Sequence, residues 1–261
     1  MMGVLPLLGS LSLGAQVNKI VKRDKKMKLI HHPALQRGHA DHGWLKAHHS
    51  FSFANYYDPA KMGYGQLRVL NDDSIAPGMG FGTHPHNDME IVTIPLEGDL
   101  EHKDSLGNGT IIKSGEIQVM SAGTGIQHSE FNPNADQEVK LLQIWVKPGK
   151  KGVKPRYDQI ALDSEREKNV MHQIVSPSPE DDGVWVNQET WFNLGDFDKD
   201  TELTLPVKGE HHGVYFFVIE GATEVAGQVL GKRDGLGVSD TTAIPMSVKE
   251  GSRILAMTVP M

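Results

Sequence analysis

Two pairs of candidate metal ligands, each with one residue between its members, lie in the first half of the chain. The first pair is His84 and His86, and the second is His128 and Glu130, about forty residues further on. Side chains two residues apart on an extended strand point to the same face, so each pair can present both members to one ion. Three neutral imidazoles and one carboxylate suit a divalent transition metal such as Fe(II), Mn, Co, Ni, Cu or Zn. The spacing predicts one such ion if the two segments lie on neighbouring strands.

A second carboxylate competes with Glu130 for the fourth ligand position. Glu90 follows His86 by four residues and shares its face if the strand continues through both. The spacing alone leaves the choice between the two carboxylates open. In the second half, His211 and His212 are adjacent and would face opposite sides of a strand, so we expect no metal there.

The composition limits any metal site to His, Asp and Glu ligands. The 261 residues include no cysteine, which excludes disulfides, thiolate metal sites and Fe–S clusters. The net charge of -7 argues against a nucleic-acid partner. The 28 glycines and 14 prolines, with only 7% aromatic residues, predict many short strands joined by turns. The expected fold class is therefore all-β.

The strand-like runs fall into two halves that look like repeats. Residues 90–98 and 214–221 are each an apolar run that ends in Glu-Gly, which predicts two barrels of one type. A stretch rich in Gly, Pro and Lys separates them, and one short helix is expected within 160–169. The predicted units are a disordered extension (1–26), a metal-binding barrel (27–147), a linker (148–158) and a degenerate barrel (159–261).

The N-terminal extension does not read as an export signal or a membrane anchor. Its basic cluster, from Lys19 to Lys28, follows the apolar run, whereas a secretory signal has its basic region first. Proline, glycine and serine interrupt the apolar run, which is too short to span a bilayer. We therefore expect a cytoplasmic protein with no membrane partner.

Five segments resemble signatures of the pirin family, whose members are bicupins and include bacterial quercetin 2,3-dioxygenase-like proteins. The resemblance covers about Met27 to Tyr157, whereas the second half is only loosely similar. It implies two cupin barrels (double-stranded β-helix, or jelly-roll) with few short helices. It also implies four metal ligands, which are His84, His86, His128 and Glu130. The segments are Arg37–Trp44, His49–Pro59, Arg68–Asp73, Gly82–His86 and Met120–Glu130.

The resemblance implies a metal-dependent dioxygenase that opens a flavonol such as quercetin with O2 and releases CO. Fe(II) is the expected ion, and Glu130 would accept the proton of the flavonol hydroxyl as a general base. A hypothesis from another class is a metal-sensing or redox-sensing binding module that acts through a protein partner. Only the dioxygenase hypothesis predicts oxygen uptake with quercetin that is lost on chelation.

Overall fold

The computed structural model describes residues 26–261. The predicted extension, residues 1–26, lies outside this part of the chain except for Lys26. The described residues form 22 β-strands and one 3-10 helix, Ala34–Gln36. None of the described helices is long and apolar enough to cross a membrane. The prediction of a short helix within 160–169 is wrong, because this segment contains the end of a strand followed by turns.

The strands are short and follow one another closely, as the turn-rich sequence predicts. The first twelve are β1 (Lys28–His32), β2 (Gly38–Asp41), β3 (Leu45–His49), β4 (Leu67–Ile75), β5 (Gly80–His86), β6 (Glu90–Glu97), β7 (Leu100–Asp104), β8 (Gly109–Ile112), β9 (Glu116–Ser121), β10 (Ile126–Phe131), β11 (Val139–Val146) and β12 (Arg156–Ala161). The other ten are β13 (His172–Ser176), β14 (Val184–Trp185), β15 (Trp191–Phe197), β16 (Thr201–Pro206), β17 (His212–Glu220), β18 (Thr223–Val225), β19 (Gln228–Leu230), β20 (Gly235–Ser239), β21 (Ala243–Val248) and β22 (Ser252–Pro260).

Each half of the chain pairs a seven-stranded sheet with a four-stranded sheet. In the first barrel the strand orders are β12-β9-β6-β11-β4-β3-β2 and β5-β10-β7-β8. In the second barrel they are β1-β20-β17-β22-β15-β13-β14 and β16-β21-β18-β19. The central strands correspond one to one, with β6 matching β17 and β10 matching β21. The predicted all-β fold of two barrels of one type is confirmed.

Two outer strands pair differently from the predicted domain division. β1, which the sequence assigns to the first barrel, pairs with β20 of the second barrel. β12, which begins inside the predicted linker, pairs with β9 of the first barrel. Each barrel is therefore completed by a strand from beyond its predicted bounds. An outer strand is held by backbone hydrogen bonds to a sheet edge, which leave no local sequence signal.

The two large sheets pack face to face and share one apolar core. Strand β17 is buried along almost its whole length because both of its faces are covered. Tyr215 and Phe217 enter the core shared with the first barrel, whereas Val214 and Phe216 fill the interior of the second barrel. This pattern explains why residues 214–219 form a continuous apolar run rather than an alternating one.

The interiors of the two barrels differ in how completely apolar side chains fill them. The second barrel holds one continuous cluster, which includes Met246 and Val248. In the first barrel, the buried apolar side chains outside the shared core form two smaller clusters, one around Leu100 and one around Ile91. A cavity of about 550 Å³ opens in the first barrel.

Candidate metal centre

The two predicted ligand pairs lie on neighbouring antiparallel strands. β5 carries His84 and His86, β10 carries His128 and Glu130, and His128 lies directly opposite His84. The register shifts between His128 and Glu130, so that Phe81 is the partner of Glu130. β5 therefore holds one extra residue at this point, as in a β-bulge. The small sheet places the two pairs on neighbouring strands, and it groups three of the four predicted side chains, those of His84, His86 and His128.

Three imidazoles form a compact group. Their ligand nitrogens, from His84, His86 and His128, all lie within 4.8 Å of one another. Nδ1 of His84 contacts the carbonyl oxygen of Gly82 at 2.8 Å. A carbonyl only accepts, so Nδ1 carries the proton and Nε2 keeps a lone pair. This contact prepares His84 as a metal ligand through Nε2.

The hydrogen-bonding state of the group fits a bound metal ion. Both ring nitrogens of His128 are buried and have no hydrogen-bond partner in the described part of the chain. Burial and the neighbouring histidines lower the pKa of His128 to about 2. Burial, with His84 beside it, lowers the pKa of His86 to about 4. These two imidazoles are neutral at physiological pH, which is the state that binds a transition metal.

Glu130 lines the same cavity as His84 and His86. It is not part of the group formed by the three imidazoles, whose ligand nitrogens lie within 4.8 Å of one another. Oε2 of Glu130 accepts a hydrogen bond from Nε2 of Gln143 at 2.8 Å. Its other oxygen, Oε1, is buried and has no partner among the described residues. Burial raises the pKa of Glu130 to about 7. The carboxyl therefore has one oxygen held in place and one free for a proton or a metal.

Glu90 lies on a different face. The chain turns between β5 and β6, where Asp88 has a φ of 44°, so the strand that would align Glu90 with His86 is interrupted. The Glu90 carboxylate accepts hydrogen bonds from Oγ of Ser121 at 2.6 Å and from Nδ2 of Asn187 at 3.2 Å. Asn187 belongs to the second half of the chain, so Glu90 links the two halves.

Aromatic side chains form much of the cavity wall. Trp44, Phe53, Phe81 and Trp145 all line it. The ring of Trp145 lies edge-to-face against the ring of His86, with 4.9 Å between the centroids. From the sequence we would assign Trp145 and Phe81 to core or rim packing. Both do pack against buried apolar clusters, and both also line the cavity, where flat apolar surfaces can hold an aromatic ligand.

A polar relay, which the sequence did not indicate, fixes Glu130. Nε1 of Trp145 donates to Oε1 of Gln143 at 3.2 Å, and Gln143 donates in turn to Glu130. The indole can only donate and an ionised carboxylate can only accept, so the amide orientation is determined. Its members come from β10 and β11, and only the folded barrel brings them together.

A buried histidine lies beside the group of three imidazoles. The side chain of His102 on β7 is fully buried, and its Nε2 is 3.1 Å from Oδ2 of Asp104. Its ring centroid is 5.3 Å from that of His128 and 4.6 Å from that of Tyr157. His102 therefore packs against His128 and supports the position of its ring.

The second barrel has apolar residues where the first has the predicted ligands His128 and Glu130. β21 matches β10 in the sheet order, and its Met246 and Val248 are buried in the apolar cluster. Both ring nitrogens of His212 contact backbone carbonyls, those of Glu210 at 2.7 Å and Glu189 at 2.8 Å. Within residues 26–261, the only group of three or more His, Asp or Glu side chains that could hold a metal ion is the histidine cluster of the first barrel.

Comparisons with known families match both halves of the chain. Residues 31–146 match the pirin family, and residues 173–259 match the quercetinase C-terminal cupin domain. Together the two matches span both barrels and the strands that form the metal-ligand group.

Similar proteins cover nearly the whole described chain. A quercetin 2,3-dioxygenase from Escherichia coli strain K12 is 43% identical over 227 residues, which are 87% of this chain and 96% of that protein. A pirin-like protein from Caulobacter vibrioides is 38% identical over 218 residues, which are 84% of this chain and 94% of that protein. The crystal structure of the bacterial pirin YhhW from Escherichia coli, in complex with nickel(II), has a TM-score of 0.84 and 41% identity and covers 89% of this chain and 99% of that one.

Proposed function

The chain belongs to the pirin family, and from this membership and the site geometry we propose that it is a metal-dependent dioxygenase acting on flavonols. The reaction would open the flavonol ring with O2 and release CO. The observation that carries the proposal is the group of three clustered imidazoles, two of which line the same cavity as Glu130, whose Oε1 has no partner among the described residues. A similar protein from Escherichia coli that bears the name quercetin 2,3-dioxygenase supports the substrate class.

His84, His86 and His128 would hold the metal, with Glu130 as a weak fourth ligand. A divalent transition metal acts as a Lewis acid and lowers the pKa of a hydroxyl group that it binds. Fe(II) is our expected ion, although the same ligands accept Mn, Co, Ni, Cu or Zn. The nickel(II) complex of YhhW is in keeping with this group of metals.

Glu130 would act as the general base. Its Oε2 is occupied by the hydrogen bond from Gln143, so Oε1 is the atom that can accept the proton of the flavonol hydroxyl. A pKa of about 7 lies near the operating pH, where a general base works best. Trp145 and Gln143 hold the carboxyl in one orientation, which keeps Oε1 directed away from the relay.

The cavity would bind a flat aromatic substrate and exclude water. Its volume of about 550 Å³ is in the usual range for sites that bind small molecules. Phe53 and Trp145 pack with their ring centroids 5.4 Å apart, and Trp44 packs against Phe81 at 5.3 Å. These two aromatic pairs give the cavity apolar walls beside a few polar groups.

Oxygen uptake with quercetin tests the proposal. We expect steady uptake by metal-loaded protein, loss of uptake on chelation, and recovery when metal is restored. Glu130→Gln should keep the metal and lower turnover by about a hundredfold or more, since an amide cannot accept the proton. Glu90→Gln, in which the altered group lies between the barrels, should have the milder effect on turnover at saturating metal.

Two outcomes would contradict the proposal in different ways. If Glu90→Gln abolishes turnover while Glu130→Gln is nearly wild type, the base and ligand are assigned to the wrong carboxylate. If neither wild type nor variants consume a flavonol with Fe, Mn, Co, Ni or Cu supplied, the dioxygenase function is wrong. The binding module that acts through a protein partner would then be the better hypothesis.

A further inference from the structure

Asp73 is a buried carboxyl in the cavity wall with no role in the site described so far. It lies on β4, is only 4% exposed, and lines the same cavity as Glu130. Its side chain makes no hydrogen bond or ion pair within residues 26–261, and Oδ1 is fully buried. Burying a polar group without a partner destabilises a folded protein. Asp73 therefore weakens the ligand-free protein rather than supporting it.

The neighbours of Asp73 do not supply the missing hydrogen bond. On β3 its cross-strand partner is Ala47, and on β11 it is Leu141, and both are apolar. Asn71 lies two residues before Asp73 on the same strand; its Oδ1 accepts a hydrogen bond from Nδ1 of His49 at 2.8 Å, and its amide group makes no hydrogen bond to Oδ1 of Asp73. Burial, with Asp72 and Glu130 nearby, raises the pKa of Asp73. A buried carboxyl that lines a largely apolar cavity and has no partner among the described residues indicates that its partner belongs to a ligand.

We propose that Asp73 binds a second hydroxyl of the substrate and thereby selects polyhydroxylated aromatic compounds. This inference rests on the proposed function, because it assigns the first hydroxyl to Glu130. The two carboxyls, Glu130 on β10 and Asp73 on β4, come from the small and the large sheet of one barrel. A substrate that bridges them must carry two separate hydroxyl groups. A flavonol with only the reacting hydroxyl would leave Asp73 without a partner.

Anaerobic binding measurements separate this proposal from the dioxygenase function. Binding of quercetin and of 3-hydroxyflavone, which has only the reacting hydroxyl, is measured by calorimetry on metal-loaded protein without oxygen. Asp73→Leu should weaken quercetin binding about tenfold, as expected for a lost hydrogen bond to a buried carboxyl. Binding of 3-hydroxyflavone should stay the same. Asp73→Asn, which keeps an acceptor oxygen, should recover part of the affinity for quercetin.

The melting temperature of Asp73→Leu distinguishes a ligand-binding role of Asp73 from a structural role, because the two roles predict opposite changes. Asp73→Leu should melt higher than wild type in the absence of ligand, because it removes an unpaired buried carboxyl. The adjacent Asp72 provides a matched control. It forms ion pairs with Arg37 at 3.0 Å and Arg233 at 3.4 Å, so Asp72→Asn should melt lower and bind both flavonols as wild type does.

The outcomes are distinct. If Asp73→Leu loses affinity for both flavonols equally, or for neither, the proposed role of Asp73 is wrong. A melting temperature of ligand-free Asp73→Leu below that of wild type would also overturn it. Selective loss of quercetin binding would support it even if wild type shows no oxygen uptake, and in that case only the dioxygenase function fails.

Discussion

The buried carboxyl of Glu130 should make the stability of the metal-free protein depend on pH in a defined direction. Its pKa rises from 4.5 to about 7 in the folded protein. Between these values the folded state binds a proton that the unfolded state has released. The contribution of Glu130 to stability therefore falls as pH rises from 4.5 to 7, and the full penalty applies above 7. The side chain is fully buried, so solvent does not screen this effect.

The magnitude follows from the difference between the two pKa values. A change of about 2.5 units corresponds to about 3 kcal/mol, so Glu130→Gln should stabilise the metal-free protein by about that amount at pH 8. At pH 5, where the folded carboxyl is protonated, the gain should be about 1 kcal/mol. In a chain of this size the gain at pH 8 corresponds to a rise in melting temperature of about 6–12 °C.

The histidines act in the opposite direction, so the variant must be compared with wild type at each pH. The lowered pKa values of His86 and His128 contribute stability at neutral pH that is lost as pH falls below 6.5. Both proteins contain these histidines, and their effect cancels in the difference. The assay is urea unfolding with a chelator present, at several pH values from 5 to 8.5. Glu138→Gln, an amide substitution at an exposed site, is the control and should follow wild type.

A stability difference between Glu130→Gln and wild type that does not change with pH, or that shrinks as pH rises, would refute the reasoning. Either result would mean that the carboxyl is ionised without penalty in the folded protein. Its free oxygen could not then be described as an unsatisfied buried group.

Three further predictions concern the ligands and the residues around them. We expect wild type to hold roughly one transition-metal ion per chain and His84→Ala/His86→Ala to lose it, as measured by elemental analysis. The variant should remain folded by circular dichroism, because the barrel has its own apolar core. Equal metal content in both proteins would disprove the site. His211→Ala/His212→Ala should keep its metal, and loss of metal with the fold intact would contradict a metal-free second barrel. Gln143→Leu removes the hydrogen bond that lowers the pKa of Glu130. The pKa of Glu130 should therefore rise, and turnover, which needs the ionised carboxylate, should begin at a higher pH. An unchanged pH profile of turnover would count against the relay.

The convergence of the histidines could be predicted because it depends on strand parity. His84 and His86 share a face, and a neighbouring strand needs only the correct register to add His128. The position of Glu90 could not be obtained in this way, since the parity argument assumes a continuous strand. The turn residues Asn87-Asp88 were the local signal that the strand ends before Glu90.

The rest of the cavity could not be read from the sequence. Asp73 and Gln143 lie on β4 and β11, which are different strands from those that carry the predicted ligand pairs, and both sit in runs that look like ordinary strands. Their position opposite Glu130 arises only when the large and small sheets close on each other. The pairing of β1 with the second barrel could not be predicted from the sequence either, because no residue pattern in Lys28–His32 indicates which strand it pairs with.

The interiors of the two barrels differ in polarity and packing, and this difference affects the stability of the whole chain. The first barrel contains unsatisfied buried groups on His128, Glu130 and Asp73, each of which destabilises the fold. Its interior is also split around a cavity, which removes packing contacts. The second barrel fills the same interior positions with apolar side chains such as Met246 and Val248. Because the large sheets share one core, unfolding of the first barrel would expose the apolar face of the second. The close packing of the second barrel therefore helps to stabilise the first barrel, whose interior is more polar and contains the cavity. This support allows the strands of the first barrel to carry buried polar groups that would be unfavourable on packing grounds alone.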